Sequence, residues 1–150
     1  MEVYRIVSEK FANKLQASGL ANRWNKKGQL VIYAGSSRSL STLELIAHRS
    51  GILLNHSYKV MIIRIQSKEG LIKEIKKEHL PTNWRSMDAL ASLQSVGSKW
   101  YQQKEFLVLK VPSVIIPQEY NYVIHTEHPA FKSSVRLVGK EDFLFDQRIL

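Results

Sequence analysis

An arginine, a tyrosine and a glutamate follow one another in close succession, and their side chains can do chemistry together. Arg23 lies in the run Asn-Arg-Trp-Asn-Lys-Lys-Gly, Tyr33 lies near the end of the apolar run Leu30–Ala34, and Glu44 comes shortly after it. A guanidinium grips phosphate through two parallel hydrogen bonds, a phenol ring stacks or hydrogen-bonds, and a fixed carboxylate stabilises positive charge on a sugar. These are the parts needed to hold a dinucleotide and break its glycosidic bond.

Glu44 has two competing interpretations. Ser41 precedes it by three positions, and serine and glutamate at this spacing are typical of a capping box at a helix start, worth about 1 kcal/mol. In the other interpretation, the carboxylate lies beside a ribose and attracts the charge of an oxocarbenium-like transition state, as at glycosidic centres. Spacing alone favours the cap.

Three candidates for anion and substrate binding lie near the N-terminus. Arg23 is a phosphate clamp or a member of a surface salt bridge, which is usually worth less than about 1 kcal/mol. Arg5, in the first predicted strand, is a second anion contact or a buried partner of a carboxylate. Asn25, two residues after Arg23, is a further candidate for substrate binding, whereas the neighbouring Trp24 is expected to fill the core.

Two more candidates lie at or just after the ends of predicted strands. Tyr33 could stack its ring on a ligand and reach a ribose or phosphate oxygen with its hydroxyl, or is an ordinary residue at the rim of the core. Ser113 follows Pro112, which stops a strand, so its hydroxyl is expected to be exposed. It could hydrogen-bond a ribose hydroxyl or position an attacking water or phosphate. No arrangement of histidine and acid makes it a covalent nucleophile.

Composition narrows the class of protein. The chain has 150 residues, of which 44% are hydrophobic, enough for one domain with a core. Lys and Arg number 22 against 13 Asp and Glu, and the resulting charge of +9 attracts nucleic acid, phosphate-bearing small molecules or acidic proteins. The absence of cysteine excludes disulfides and thiolate chemistry. Because no window is apolar enough to span a membrane and the N-terminus lacks a secretory pattern, a cytoplasmic protein is expected.

No cofactor site is legible. The histidines lack the spacing of metal ligands, so no metal is expected. A P-loop and a Gly-x-Gly-x-x-Gly motif are both absent from the sequence, so neither a Rossmann dinucleotide site nor a redox cofactor is expected. The five histidines are His48, His56, His79, His125 and His128.

Hydrophobic periodicity predicts an α+β fold, a single compact domain over residues 1–150 with a mixed or antiparallel sheet flanked by short helices. Helices are predicted at Ser8–Leu15, from Ser41 onward, and around Asp88–Val96, whereas Ile72–His79 is predicted to be a solvent-facing turn or short helix. Strands are predicted at Val3–Val7, Leu30–Ala34, Lys59–Gln66, Phe106–Val111, Tyr122–His125 and Ser134–Val138.

A series of short motifs, specific through their shared order, resembles the RES-domain family of bacterial toxins. They are Tyr4-Arg5, Arg23-Trp24-Asn25 with Gly28, Val31-Ile32-Tyr33, Leu43-Glu44, Leu80-Pro81-x-Asn83-Trp84-Arg85, Gly97-x-x-Trp100, Val111-Pro112-Ser113, Asn121-Tyr122 and His128-Pro129. The chain departs from the family pattern at Asn22, where a glycine often precedes the arginine, and at His125-Thr126, where Asn-Pro is common.

The resemblance implies a fold similar to ADP-ribosyltransferases, with NAD+ as a substrate rather than a cofactor and the Tyr33 ring stacked on its nicotinamide. It implies cleavage of the nicotinamide–ribose bond by hydrolysis or phosphorolysis, and growth arrest by NAD+ loss. It makes the catalytic role of Glu44 the better interpretation, with Arg23, Tyr33 and Ser113 beside it. The implied partner is an Xre-type helix-turn-helix antitoxin that blocks the active site, with DNA contacted only through it and a homodimer within that complex allowed. Alternatives are protein ADP-ribosylation, an RNA-directed endoribonuclease toxin, and an inactive relative that only binds its antitoxin.

Overall fold

The centre of the fold is a sheet built from the β-branched runs of the sequence. A computed structural model describes residues 1–48 and 57–149, and within them seven strands form one mixed sheet in the order β4-β5-β6-β2-β1-β3-β7. All neighbouring pairs are antiparallel except β4 and β5. The strands are β1 (Glu2–Ser8), β2 (Val31–Gly35), β3 (Tyr58–Ile65), β4 (Ile72–Glu74), β5 (Val108–Pro112), β6 (Tyr120–His125) and β7 (Val135–Phe143). The predicted α+β class is confirmed.

Three α-helices accompany the strands in the described part of the chain: α1 (Arg38–His48), α2 (Leu90–Gln103) and the single turn α3 (Phe131–Ser134). The predicted helix near residues 88–96 is confirmed and extends further. No helix among the described residues is long and apolar enough to cross a membrane.

The predicted helix over Ser8–Leu15 is wrong. Only a 3₁₀ turn forms, at Glu9–Phe11, and the chain then runs irregularly to β2. Leu15 and Ala17 both pack against the main core cluster, and a spacing of two residues suits an extended chain rather than a helix. Covering one face of the sheet has therefore overridden local helix propensity.

Helices α1 and α2 cover the same face of the sheet. Tyr33 and Gly35 are two residues apart and therefore share one face of β2. Helix α2 packs on this face through Trp100, which belongs to the same hydrophobic cluster as Tyr33. Gly35 pairs with Tyr4 of β1, so Tyr4 lies on this face too, in a cluster with Leu45 of α1. The two helices therefore lie side by side.

The sheet splits beneath the two helices, between β1 and β2. Strand β1 pairs with β2 in the described residues only at Tyr4 and Gly35, although each pairs extensively with its other neighbour. Helix α1 is seated on this point, because the Ser41 hydroxyl donates to Tyr4 O at 2.8 Å. A Cβ atom on Gly35 would lie 2.6 Å from Ser41 Oγ, so glycine permits this close seat.

The predicted capping box at Ser41 is wrong. Helix α1 begins at Arg38, and the Leu40 N–H donates to Ser37 Oγ at 3.0 Å, which makes Ser37 the N-cap. Ser37 lies two residues after Gly35, where β2 ends, so the helix starts one turn earlier than the motif suggested. Glu44 consequently lies in the second helical turn, away from the unpaired N–H groups that a capping glutamate serves.

Replacing Gly97 with alanine is expected to lower the free energy of unfolding by at least about 3 kcal/mol, a melting-temperature loss of roughly 6–12 °C. Helix α2 passes so close to the loop before β2 that a Cβ at Gly97 would lie 1.7 Å from Trp24 O. Backbone atoms must then move. The exposed Ser95→Ala in the same helix is the matched control, and thermal melting of both variants checks the difference. A Gly97→Ala protein that melts like Ser95→Ala would contradict this packing.

Candidate functional site

Glu44 reaches from α1 to the ends of β5 and β6. Its Oε1 accepts hydrogen bonds from Ser113 Oγ at 2.9 Å and from Asn121 Nδ2 at 2.6 Å. Within residues 1–48 and 57–149, Oε2 has no hydrogen-bond partner and no cation lies within ion-pair distance of the carboxylate. One oxygen is held by the sheet and the other is left to act on a ligand. The competing interpretation of Glu44 as a helix cap is wrong.

Ser113 is fully buried, so the prediction of an exposed hydroxyl is wrong. After Pro112 the chain turns back, and the N–H groups of Ile115 and Ile116 both donate to Ser113 Oγ at 3.1 Å. The hydroxyl's single proton goes to Glu44. With one donor and two acceptor positions in use, Ser113 is placed to hold Glu44, and its predicted contact with ribose or acceptor stays a prediction.

Asn121 is a member of the site to which sequence reasoning assigned no role. It lies in β6 opposite Gly35, and therefore on the face that the two helices cover. Val123 and His125 share that face of β6 and are fully buried. A polar side chain in line with buried residues needs a hydrogen-bond partner. That position in the strand was the signal from which its role could have been inferred.

Tyr33 fastens β2 to the loop that carries Arg23. Its hydroxyl donates to Asn25 Oδ1 at 2.6 Å and accepts the Trp24 N–H at 3.1 Å. Burial raises the pKa of Tyr33, and the Trp24 hydrogen bond and the charge of Arg23 lower it by less. The phenol is therefore neutral. The hydroxyl is thus engaged, and the ring remains the part suited to contact a ligand.

Asn25 is fully buried inside this loop. Its Nδ2 donates to Leu20 O at 2.9 Å and to Lys26 O at 3.1 Å, while its Oδ1 serves Tyr33. These bonds make Asn25 the residue that shapes the loop, and its substrate contact stays a prediction. Trp24 is buried, so its predicted place in the core is confirmed.

Arg23 carries a buried donor that no described residue satisfies. Its Nη1 is buried without a hydrogen-bond partner in the described part of the chain, and no described carboxylate lies within 4.0 Å of its guanidinium. The salt bridge considered for Arg23 is therefore absent from these residues. Leaving a buried donor unpaired costs about 1–3 kcal/mol, more when it is charged. An anionic ligand would recover that cost.

Arg5 reaches into the split between β1 and β2. Its Nη1 donates to Tyr33 O at 2.9 Å, and burial lowers its pKa. Paired with Met61 in the sheet, it starts from the face opposite to the two helices. The carboxylate partner considered for it is absent from the described ion pairs. It adds uncompensated positive charge next to β2, while its direct contact with an anion stays a prediction.

Contacts connect the Arg23 loop to Glu44 on two sides. On one side, Tyr33 of β2 holds the loop. Gly35, two residues further along the same face of β2, pairs with Asn121, and Asn121 holds Glu44. On the other side, Asn22 Nδ2 lies 3.3 Å from Nε2 of His48, one helical turn beyond Glu44. We call this group of side chains, formed by Arg23, Tyr33, Glu44 and Asn121, the Glu44 cleft.

The histidines near the C-terminal strands serve the backbone. His125 Nε2 contacts Tyr101 O at 2.9 Å and its Nδ1 accepts the Glu127 N–H at 3.1 Å. In His128, Nε2 contacts Glu105 O at 3.3 Å and Nδ1 accepts the Ala130 N–H at 3.0 Å. Neither ring has a free nitrogen for the acid–base pair that RNA cleavage requires. His56 lies outside the described residues.

Stability is expected to fall as the pH drops below about 6.5, because His125 is buried against Tyr101 and Trp100. Burial lowers the pKa of His125, so the unfolded chain binds the proton more readily and gains stability in acid. The loss approaches about 1.4 kcal/mol per pH unit at most. Urea unfolding between pH 8 and 5 measures the slope, which His125→Gln should reduce. An unchanged slope in that variant would contradict the assignment.

A surface pocket lies outside the Glu44 cleft. It is open and lies near strand β4, where residues 72–79 form β4 and a 3₁₀ turn (Lys77–His79), so the predicted turn or short helix is only partly right. Tyr120 lines it and precedes Asn121, so the two side chains leave opposite faces of β6. The pocket is lined by Glu74, Ile75, Lys76, Lys77, Glu78, His79 and Tyr120, which mix both signs of charge.

Comparison with known proteins finds one family and several relatives. The RES domain model matches residues 2–146. Toxin Res of Yersinia enterocolitica is 31% identical over 153 aligned positions, covering 99% of both chains. The Prs ADP-ribosylating toxin of a Sphingobium species is 36% identical over 130 positions, covering 85% of this chain and 80% of its own. Toxin Res of Photorhabdus laumondii is 26% identical, covering 100% of this chain and 97% of its own.

Proposed function

This chain belongs to the RES-domain family, and we propose that it is a toxin that cleaves the nicotinamide–ribose bond of NAD+. The observation that carries the proposal is the Glu44 carboxylate, with one oxygen fixed by Ser113 and Asn121 and the other free to act. The names of the relatives support a toxin, and one of them names ADP-ribosylation, which begins with the same bond cleavage.

The proposed reaction separates NAD+ into nicotinamide and an ADP-ribosyl cation-like species. The electron pair of the glycosidic bond leaves with nicotinamide, so the leaving group departs neutral and needs no general acid. Positive charge develops on the ribose, where the Glu44 carboxylate stabilises it or holds the ribose hydroxyls. Attack by water yields ADP-ribose and a proton, and attack by phosphate yields the corresponding ADP-ribosyl phosphate.

The remaining side chains bind and orient in this proposal. Arg23 takes a pyrophosphate oxygen on its unsatisfied Nη1. The Tyr33 ring faces the nicotinamide, since its hydroxyl is engaged by the loop. Arg5 raises the positive potential beside the phosphates. Ser113 and Asn121 act as positioning residues for Glu44, and NAD+ is a substrate, so no cofactor is required.

Transfer of ADP-ribose to a protein is the second candidate. The Sphingobium relative is named a Prs ADP-ribosylating toxin at 36% identity, which favours an acceptor other than water. The same cleft would serve both reactions, because the acceptor enters only after the nicotinamide bond weakens. An endoribonuclease is less favoured, since His125 and His128 are committed to backbone groups.

A toxin acting on NAD+ would work in the cytoplasm and need a neutralising partner. We propose an Xre-type helix-turn-helix antitoxin that covers the Glu44 cleft, with DNA reached only through the antitoxin. The net charge of +9 favours an acidic segment as the covering element. A homodimer within that complex is part of the same proposal.

Purified protein incubated with NAD+ tests the reaction. Nicotinamide release is expected in buffer, with ADP-ribose as product, and mass spectrometry after adding phosphate or a cell lysate identifies a phosphorylated product or a modified protein. The matched incubation contains total RNA. Intact NAD+ together with degraded RNA would overturn the proposal in favour of the endoribonuclease.

A further inference from the structure

Asn22 connects helices α1 and α2 beside the Glu44 cleft. Its backbone O accepts a hydrogen bond from Gln94 Nε2 of α2 at 2.9 Å, and its Nδ2 lies 3.3 Å from His48 Nε2 of α1. Its Oδ1 accepts the Arg23 N–H at 2.8 Å. One residue therefore touches both helices and the backbone of the arginine at the same time.

The hydrogen-bond roles at this contact follow from the neighbours. Because Asn22 Oδ1 already accepts the Arg23 N–H, its amide NH₂ group is turned toward His48 and donates. Nε2 of His48 is then the acceptor of this hydrogen bond. Position 48 thus has to supply an acceptor. His48 follows Glu44 by four residues and lies on the same face of α1.

The position of Arg23 depends on this contact, because its guanidinium makes no hydrogen bond among the described residues. Nη1 has no hydrogen-bond partner among the described residues. What orients the side chain is its own backbone, which Asn22 fixes through the Arg23 N–H. The family often has glycine before the arginine, but φ at Asn22 is not positive, so its backbone does not require glycine.

We propose that Asn22 and His48 form a clasp that fixes Arg23 relative to Glu44 and so sets the affinity for the phosphates of the substrate. The inference rests on the proposed function, because it gives the clasp a role at the same site. Asn22 and His48 are positioning residues that act through Arg23. A glycine at position 22 lacks the side chain that the clasp needs.

Binding of ADP-ribose by calorimetry, together with NAD+ kinetics, tests the clasp. His48→Leu removes one neutral hydrogen bond, so Kd and KM should rise about fivefold, with kcat within about twofold of wild type. Asn22→Gly also removes the acceptor of the Arg23 N–H, so its Kd and KM should rise at least as much. His48→Gln supplies a carbonyl acceptor and should restore most of the affinity. Lys27→Ala, an exposed position in the same loop, is the matched control and should bind as wild type.

The double variant Asn22→Gly/His48→Leu separates a shared contact from two independent ones. Because His48→Leu breaks only a contact that Asn22→Gly already removes, the Kd of the double variant should rise no more than in Asn22→Gly alone. A product of the two effects, at least about 25-fold, would overturn the clasp, and so would a lower melting temperature with Kd and KM unchanged. Failure of His48→Gln to restore binding also counts against it.

Failure of the clasp and failure of the proposed function give different results. If wild type consumes NAD+ and the variants bind ADP-ribose equally well, the clasp is wrong and the proposed function stands. If wild type leaves NAD+ intact but the fivefold pattern appears with ADP-ribose, the clasp stands and the proposed cleavage is wrong. Absence of both binding and turnover in wild type overturns both.

Discussion

Replacing Glu44 with glutamine is expected to lower the turnover of NAD+ by roughly 10²–10³-fold, the loss seen when a preorganised electrostatic group is removed. Glutamine has the same shape, and its Oε1 can still accept from Ser113 Oγ and Asn121 Nδ2, so the fold and the positions of both partners should be kept. What disappears is the negative charge beside the developing sugar cation. Nicotinamide release at saturating NAD+ measures the effect on kcat.

A matched control isolates the charge from general effects. Glu78→Gln removes an exposed carboxylate outside the cleft and should leave turnover unchanged. Both variants should melt within a few degrees of wild type, because neither leaves a buried polar group unpaired. Full turnover by Glu44→Gln would show that the carboxylate has no part in the reaction, whatever its hydrogen bonds.

Replacing Arg23 with lysine is expected to lower kcat/KM for NAD+ by roughly 10- to 100-fold, most of it through KM. Lysine keeps the charge but cannot present two parallel N–H groups to a phosphate. The unsatisfied Nη1 of Arg23 is the donor that the substrate would use. KM for NAD+ and Kd for ADP-ribose should rise by similar factors, because the contact with the phosphates is made in the ground state as well as in the transition state.

Arg64→Lys is the control for this change, because Arg64 forms an exposed ion pair with Glu2 away from the cleft. It should bind ADP-ribose as wild type does. If Arg23→Lys keeps full affinity while Arg5→Lys loses it, the phosphates contact Arg5, and the assignment of Arg23 is wrong.

The sheet could be predicted from the sequence because its strands are β-branched runs bounded by glycine, serine and proline. Tertiary packing decided what local patterns could not. The segment after β1 forms only a 3₁₀ turn, because it then lies extended across the core, where Leu15 and Ala17 pack. The small edge strand β4 escaped prediction because its charged residues alternate in sign like a solvated turn.

For the candidate site, residue types could be named from the sequence, whereas their surroundings depend on tertiary packing. Glu44 was proposed as the central acid, and a capping motif competed with it, because Ser37 and Ser41 are equally able to cap and only packing selects between them. Ser113 was expected to be exposed because the turn that wraps its hydroxyl depends on amides further along the chain. The position of Asn121 in its strand, in line with buried residues, signalled a hydrogen-bond partner, but that partner lies on another element and could not be named from the sequence.

A crystal structure of the Glu44→Gln protein with NAD+ tests the central claim most directly, because the slow variant should retain intact substrate. We predict the nicotinamide ribose against residue 44 and the pyrophosphate on the guanidinium of Arg23. NAD+ bound instead in the pocket of Lys76, Lys77 and His79 would contradict the account, as would a pyrophosphate remote from Arg23.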